Sequence, residues 1–354
     1  MPVHAQMTYR NLGRTGVHVS PLCVGCLTFG AKTDDAEAQR IVNRALERGI
    51  NFFDTANAYG RGRSEETLGC ALDAAGARDR VILATKVHHK MAEGPNHRGN
   101  SRRHIVEQCE ASLRRLQTDW IDLYQIHRPL SDTPIDETLH ALDDLIRVGK
   151  IRYAGTSCFA AWQIVESLAV SRGLRLHRFA CEQAPLNLLD RSIERDVLPM
   201  AQTFGTAVMA FGPLAGGLLT GKYSRGQPAP AGARYAQQNH PNANFNQRLN
   251  PDQPWWDAVE KLRPLAAARG ISLGQFALAW VLQRPGVTCA IVGPRTLEQF
   301  EENLRALDVK LTAEELAAID AIVPPGGLVV PYYEVASPLA GMEGKNFGPH
   351  VHRI

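Results

Sequence analysis

The sequence predicts an α/β fold, a (β/α)8 TIM barrel, from three observations: eight short apolar runs, longer amphipathic stretches between them, and cap signals where the two meet. The strands are read at 22–25, 50–54, 81–86, 121–126, 151–156, 179–183, 206–211 and 288–292. Helical stretches include 35–48, 102–116, 135–148 and 162–171, the third entered through Thr133-Pro134, a helix-start signal. Gly49 and Gly149 stand where a C-cap glycine belongs. Before the first barrel strand, 8–12 and 17–20 read as a small hairpin that plugs the N-terminal end of the barrel. After the seventh strand, 222–252 is rich in Pro, Gly, Asn and Gln and reads as a long loop over a site. A helix at 313–322 then leads into a Pro- and Gly-rich tail. With no linker in view, residues 1–354 are expected to form a single barrel domain.

Composition narrows the function. The chain has 354 residues and a net charge of only +3, with basic residues scattered rather than massed. That balance gives no reason to propose a nucleic-acid partner or a membrane surface, and favours a small-molecule ligand. The first nine residues are polar, and no run approaches the ~18 apolar residues of a spanning helix, so a soluble protein is expected. Seven cysteines spread along so long a chain do not form a secreted disulfide framework, which points to a reducing cytoplasm. Cys23-Val-Gly-Cys26 has C-x-x-C spacing, but on a strand its two thiols face opposite ways; both read as small buried apolar residues. Barrel hydrolases commonly place two histidines bracketing one residue at the end of the first strand, where this chain has Gly25-Cys26-Leu27-Thr28. His88 and His89 are adjacent and would diverge, so no bound metal is expected.

The stretch FFDTANAYG (52–60) runs from an apolar strand into Asp54 and, five residues on, Tyr59. Lys86 closes the third strand and His127 follows the fourth, so four polar groups fall on adjacent strand ends, on the face where barrels do their chemistry. A lysine at the end of a buried strand needs a counterion, which Asp54 can provide. The cation can in turn lower a nearby phenol from its usual pKa of ~10 and make Tyr59 a general acid. His127 would hydrogen-bond the same substrate oxygen. Such a set delivers a proton to an oxygen gaining negative charge, which is what carbonyl reduction requires as hydride reaches carbon.

These residues, with LATKV, DLYQIHRP, IRYAGTS, NLLDR, FGPLAGGLLTGKY and VGPRTLEQFEEN in the same order, resemble the aldo-keto reductase family along nearly the whole chain. The resemblance implies an NADPH-dependent enzyme, with NADH possible, that reduces an aldehyde or ketone, with Asp54, Tyr59, Lys86 and His127 as its catalytic tetrad. It also implies cofactor positions. Ser157 and Gln183 would hold the nicotinamide carboxamide and Phe211 would stack on the ring. Gly212, Leu214, Gly216 and Gly217 would admit the pyrophosphate, and Gly293, Arg295, Gln299, Glu302 and Asn303 would grip the adenosine. Arg295 could pair with a 2′-phosphate, which favours NADPH. There are departures: Cys158 stands where the family usually has Asn, and Pro185-Leu186 where a Tyr-Asn pair often begins.

For the substrate pocket the candidates are Phe29, His88 and Arg128, with Tyr235, Phe245, Trp255 and Trp256 from the long loop. Arg128 either meets an anion or makes a rim salt bridge. A sugar-like or bulky cyclic ketone, or an aromatic aldehyde, fits such a cleft. The chain also resembles the potassium-channel β-subunits of the same family, which leaves a cofactor-loaded partner module as the alternative to an enzyme. Oligomeric state is not legible.

Overall fold

The computed structural model describes residues 7–130, 132–236 and 248–330. Strands β1 (Arg10–Asn11) and β2 (His18–Val19) form the expected antiparallel hairpin. Eight parallel strands then close a barrel: β3 (Leu22–Gly25), β4 (Phe52–Asp54), β5 (Ile82–Val87), β6 (Ile121–Ile126), β7 (Ile151–Ser157), β8 (Phe179–Pro185), β9 (Ala207–Phe211) and β10 (Val287–Val292). Closure is made by β10 against β3, with Ala290 opposite Leu22. Every residue of β3, β4 and β10 is buried, which is why these segments read as continuous apolar runs and not as alternating ones.

The hairpin lies across the N-terminal end of the barrel. Gly13, at φ +58°, sits so close that a Cβ would fall 2.7 Å from the Ala180 carbonyl oxygen and 2.8 Å from the Ala207 nitrogen, both near the starts of their strands. Only glycine fits there.

Helices alternate with the strands: α1 (Asp35–Glu47), α2 (Arg63–Ala74), α3 (Arg102–Leu116), α4 (Ile135–Arg147), α5 (Ala161–Leu174), α6 (Val197–Phe204), α7 (Trp255–Ala268), α8 (Leu273–Leu282), α9 (Leu297–Leu304) and α10 (Ala313–Ile322). Helix α1 shows the reason for its limits. The Asp34 carboxylate accepts from the Glu37 amide at 2.8 Å, and Ala38, Ile41, Val42 and Ala45 bury one stripe. Gly49 ends the turn beyond it at φ +74°.

The described residues form two compact units. Among the described residues, the first draws on 7–130, 132–184, 200–209 and 288–301, the second on 185–199, 210–236, 248–287 and 302–330. Of the long segment 222–252, residues 237–247, including Phe245, lie outside the described residues, as does the tail beyond 330. The described part of that segment contains one short 3-10 turn, Arg234–Ala236. No single described helix is long and apolar enough to cross a membrane.

Candidate active site

Parallel register brings the first group together. Asp54, the last residue of β4, is level with Ala84 on β5, so Lys86 lies two residues further along the same face; Lys86 is level with Gln125 on β6. Lys86 Nζ is fully buried and donates to Asp54 Oδ2 at 2.5 Å, to the Thr55 carbonyl at 2.8 Å and to Tyr59 Oη at 3.5 Å. The other carboxylate oxygen of Asp54 accepts from Gln125 Nε2 at 3.1 Å and Gln183 Nε2 at 2.9 Å. Both oxygens of the counterion are therefore fixed, and with them the lysine.

Tyr59 opens a tight 3-10 turn, Tyr59–Gly62, in which Gly60 and Arg61 have positive φ before α2 begins. The turn holds the phenol ring 5.1 Å from the Lys86 ammonium. His127, one residue beyond β6, meets the Tyr59 ring edge-on with centroids 5.7 Å apart. The structure thus assembles all four residues of the tetrad within the first unit.

Electrostatics set their protonation. Burial is the largest single influence and pulls the Lys86 ammonium down, but the charges of Asp54 and Tyr59 and the hydrogen bonds to both together outweigh it, and the pKa ends above its ordinary value. Burial drives His127 well below the imidazole range, with Lys86 adding to the shift, so this ring is neutral. Its Nδ1 is buried and has no hydrogen-bond partner among the described residues. The expectation for Tyr59 is corrected. Burial raises its pKa, and the opposing pull of Lys86 does not restore it, so the phenol is held protonated rather than brought toward neutrality. A proton kept on Oη until a neighbouring oxygen becomes basic still serves a general acid.

Three residues of this region were not singled out from sequence. Gln125 was hidden as one polar letter inside an apolar strand. Glu182 is fully buried beside Gln183; its carboxylate accepts from the Thr156 hydroxyl at 2.6 Å and the Phe159 amide at 3.1 Å, and burial pushes its pKa up to about 8. Asn100 Oδ1 accepts from His88 Nδ1 at 2.9 Å, and its Nδ2 donates to the Arg128 carbonyl at 3.0 Å. Ser157 closes β7, buried, with its hydroxyl 3.7 Å from Cys158 Sγ. Cys158 itself is at φ +61°, a conformation that asparagine tolerates better than cysteine. Arg128 donates from Nη1 to Cys158 Sγ at 2.8 Å and to the His127 carbonyl at 3.0 Å.

The remaining pocket candidates divide. His88 is at the site, its ring 5.2 Å from that of His89, which in turn lies 4.7 Å from His127. Phe29 is fully buried and belongs to the core. Trp255 and Trp256 are corrected in the same way: they stack at 3.9 Å, fully or almost fully buried, and each indole N–H donates to a backbone carbonyl.

The second unit holds the glycine turn. Gly212, Gly216 and Gly217 have φ of +63°, +67° and +108°, in the turn that follows Phe211 and includes Leu214. A Cβ on Gly216 would meet Tyr235 Oη at 2.7 Å and Arg234 Nη1 at 3.3 Å, and one on Gly217 would meet Lys222 Nζ at 3.5 Å. Bare backbone ringed by cations and a hydroxyl suits an anionic group such as a pyrophosphate. Lys222 and Arg234 were not singled out from sequence. On α9, Gln299, Glu302 and Asn303 share one face by their spacing, and Gln299 Oε1 accepts from the Arg295 amide at 2.9 Å just before the helix. Glu302 also accepts from the Ser272 hydroxyl at 2.6 Å. Gly293 is exposed after β10.

A closed parallel barrel carrying a buried Asp-Lys pair, a protonated tyrosine and a neutral histidine at its strand ends defines an oxidoreductase of the aldo-keto type. The model of the Aldo/keto reductase family matches residues 21–324, and the chain belongs to that family. It is 41% identical over 331 residues, 91% of this chain and 98% of the relative, to the uncharacterized oxidoreductase YrpG of Bacillus subtilis (strain 168). It is 40% identical over 322 residues to a probable voltage-gated potassium channel subunit beta of Oryza sativa subsp. japonica, covering 90% of this chain and 97% of that one. A protein of the same description from Arabidopsis thaliana is 39% identical over 306 residues, 86% and 92% of the two chains.

Proposed function

We propose that the protein reduces an aldehyde or ketone to the alcohol with NADPH. The observation that carries this is the tetrad: a protonated Tyr59 hydroxyl within 3.5 Å of a buried ammonium whose counterion is fixed on both oxygens. The nucleotide, when bound, supplies the hydride. Tyr59 Oη gives its proton to the substrate oxygen as negative charge develops there, and Lys86 stabilises the phenolate left behind. His127, neutral, hydrogen-bonds that oxygen and orients it. Ser157 and Gln183 are assigned to the carboxamide, Phe211 to the ring, the glycine turn from Gly212 with Lys222 to the pyrophosphate, and Arg295, Gln299, Glu302 and Asn303 to the adenosine. Arg295 is the reason for preferring NADPH: a guanidinium matches a 2′-phosphate, and NADH offers it a hydroxyl.

A second reading rests on the channel-subunit descriptions of two relatives. In it the chain binds nucleotide tightly, turns over little, and serves a protein partner. Fluorescence titration with NADPH and NADH, followed by a carbonyl panel read at the nicotinamide absorbance, separates the two. Binding with turnover supports the reductase, binding without turnover supports the partner module, and no binding removes the cofactor from both. Arg295→Ala is expected to weaken NADPH far more than NADH; equal losses would remove the 2′-phosphate contact.

A further inference from the structure

We infer that Glu182 is a positioning residue: a buried, neutral carboxylic acid with its proton on Oε2 that braces the turn carrying Ser157 and Cys158, and so fixes Ser157 for the nicotinamide carboxamide. The inference rests on the reductase reading, in which Ser157 meets that carboxamide.

Strand β8 presents two neighbours to two different tasks. Gln183 reaches Asp54 with its amide at 2.9 Å, and Glu182, on the opposite face by strand alternation, is fully buried. In the register of β7 and β8, Thr156 stands level with Glu182 and Ser157 with Gln183. The Glu182 carboxyl then spans the turn. Its Oε2 lies 2.6 Å from the Thr156 hydroxyl, before Ser157, and its Oε1 accepts from the Phe159 amide at 3.1 Å, after Cys158. The main chain of β8 adds a third tie, the Gln183 carbonyl accepting from the Cys158 amide at 3.0 Å. A turn that forces Cys158 to φ +61° needs such ties, because nothing local favours that conformation for cysteine. The buried Phe159 amide also needs an acceptor, which Oε1 supplies.

Hydrogen counting gives the protonation state. The Thr156 hydroxyl has one hydrogen and two oxygens in reach, Glu182 Oε2 at 2.6 Å and the Cys181 carbonyl at 3.2 Å. An ionised Glu182 would compete with that carbonyl for it. With the proton on Oε2 the contacts run one way: Glu182 donates to the Thr156 oxygen, Thr156 donates to the Cys181 carbonyl, and Oε1 is left to accept from Phe159. The energetics agree. Burial pushes the Glu182 pKa up to about 8, and the bonds from Thr156, Phe159 and Cys158 and the charge of Arg128 pull the other way without restoring it. Cys181, its neighbour on β8, is itself held as a neutral thiol by burial.

The test compares NADPH with 2′-phospho-ADP-ribose, which lacks the nicotinamide. Glu182→Ala is expected to weaken NADPH about tenfold and to leave the truncated nucleotide unchanged. Glu182→Gln, which keeps an acceptor for Phe159 and a donor for Thr156, is expected to bind NADPH as the wild type does; a tenfold loss there overturns the neutral acid. Thr156→Val keeps the shape without the hydroxyl and is expected to weaken NADPH about threefold, so the test stands even where the alanine variant does not fold. Unchanged NADPH affinity in Thr156→Val, or equal losses of both nucleotides in Glu182→Ala, overturns the positioning role and leaves the reductase standing. The proton has its own readout: the infrared difference between wild type and Glu182→Gln near neutral pH is expected to show the C=O stretch of a protonated carboxylic acid, and ionised carboxylate bands in its place overturn the inference. Wild-type protein that binds neither nucleotide overturns the cofactor reading and the positioning role with it.

Discussion

Replacing Lys86 with methionine tests the electrostatic centre of the site. In the wild type the ammonium is fully buried, the Asp54 side chain is 4% exposed, and the two are 2.5 Å apart. Methionine fills most of the lysine volume but leaves the carboxylate inside the barrel with only the Gln125 and Gln183 amides on one oxygen. Breaking a buried pair by removing one partner costs about 3–5 kcal/mol, because the surviving charge is uncompensated. Against a typical total of ~5–15 kcal/mol the variant is folded but much weakened. The assay is urea unfolding, with the midpoint expected to fall at an unchanged slope. The double variant Lys86→Met/Asp54→Asn removes both charges and is expected to recover much of the loss, so the single costs do not add. A Lys86→Met protein within ~1 kcal/mol of wild type, or a double variant whose cost equals the sum of the singles, would show that the pair is not the compensated charge described here.

Three further outcomes follow from other contacts. Tyr59→Phe is expected to abolish turnover while NADPH affinity stays nearly intact; near-normal turnover would remove the proposed acid. Cys158→Asn places at φ +61° a residue that tolerates it, and is expected to raise the thermal midpoint by about one degree, corresponding to roughly 0.5–1 kcal/mol; a lower midpoint would mean that the Arg128–Cys158 contact outweighs the backbone preference. Stability should also depend on pH from both sides. Glu182, with its pKa raised to about 8 from 4.5, keeps its proton longer in the folded state, so its contribution is full at acid pH and is lost as pH rises toward 8. His88 and His89, lowered to about 4 from 6.5, contribute above 6.5 and lose stability as pH falls toward 4. Glu182→Gln is expected to flatten only the alkaline limb, as read by denaturant midpoints across pH; an unchanged limb would reassign it.

Much of this was legible in the chain because a parallel barrel makes periodicity do two jobs. An apolar run of four to six residues marks a strand, and the polar residue at its end marks the active face. That is how Asp54, Lys86 and His127 could be placed from residues far apart in sequence. Gln125 and Glu182 were illegible for the converse reason. They lie within strands rather than at the ends, where a single polar letter carries no sign of its partners. The direction of the Tyr59 shift also needed the structure, since sequence reveals the charge partner but not how deeply the phenol is buried. The tryptophans at 255 and 256 misled because aromatic content next to a long loop looks like a pocket wall, whereas their indole N–H groups found backbone carbonyls and both rings entered the core.

The closure of β10 onto β3 bears on how the chain is made. The Thr28 hydroxyl, just past β3, lies 3.5 Å from the Pro294 carbonyl, 266 residues later in the sequence. During synthesis the edge of β3 emerges more than 250 residues before its hydrogen-bonding partner on β10. Until then the sheet is an open, growing ribbon with one unpaired margin, the form in which strands are most easily captured by the wrong neighbour. Contacts this distant also make refolding slow compared with a helical bundle of similar stability. A chain stopped before residue 287 is therefore expected to bind chaperones and to lack cooperative unfolding; a sharp, cooperative transition from such a fragment would show that the barrel does not depend on its last staple.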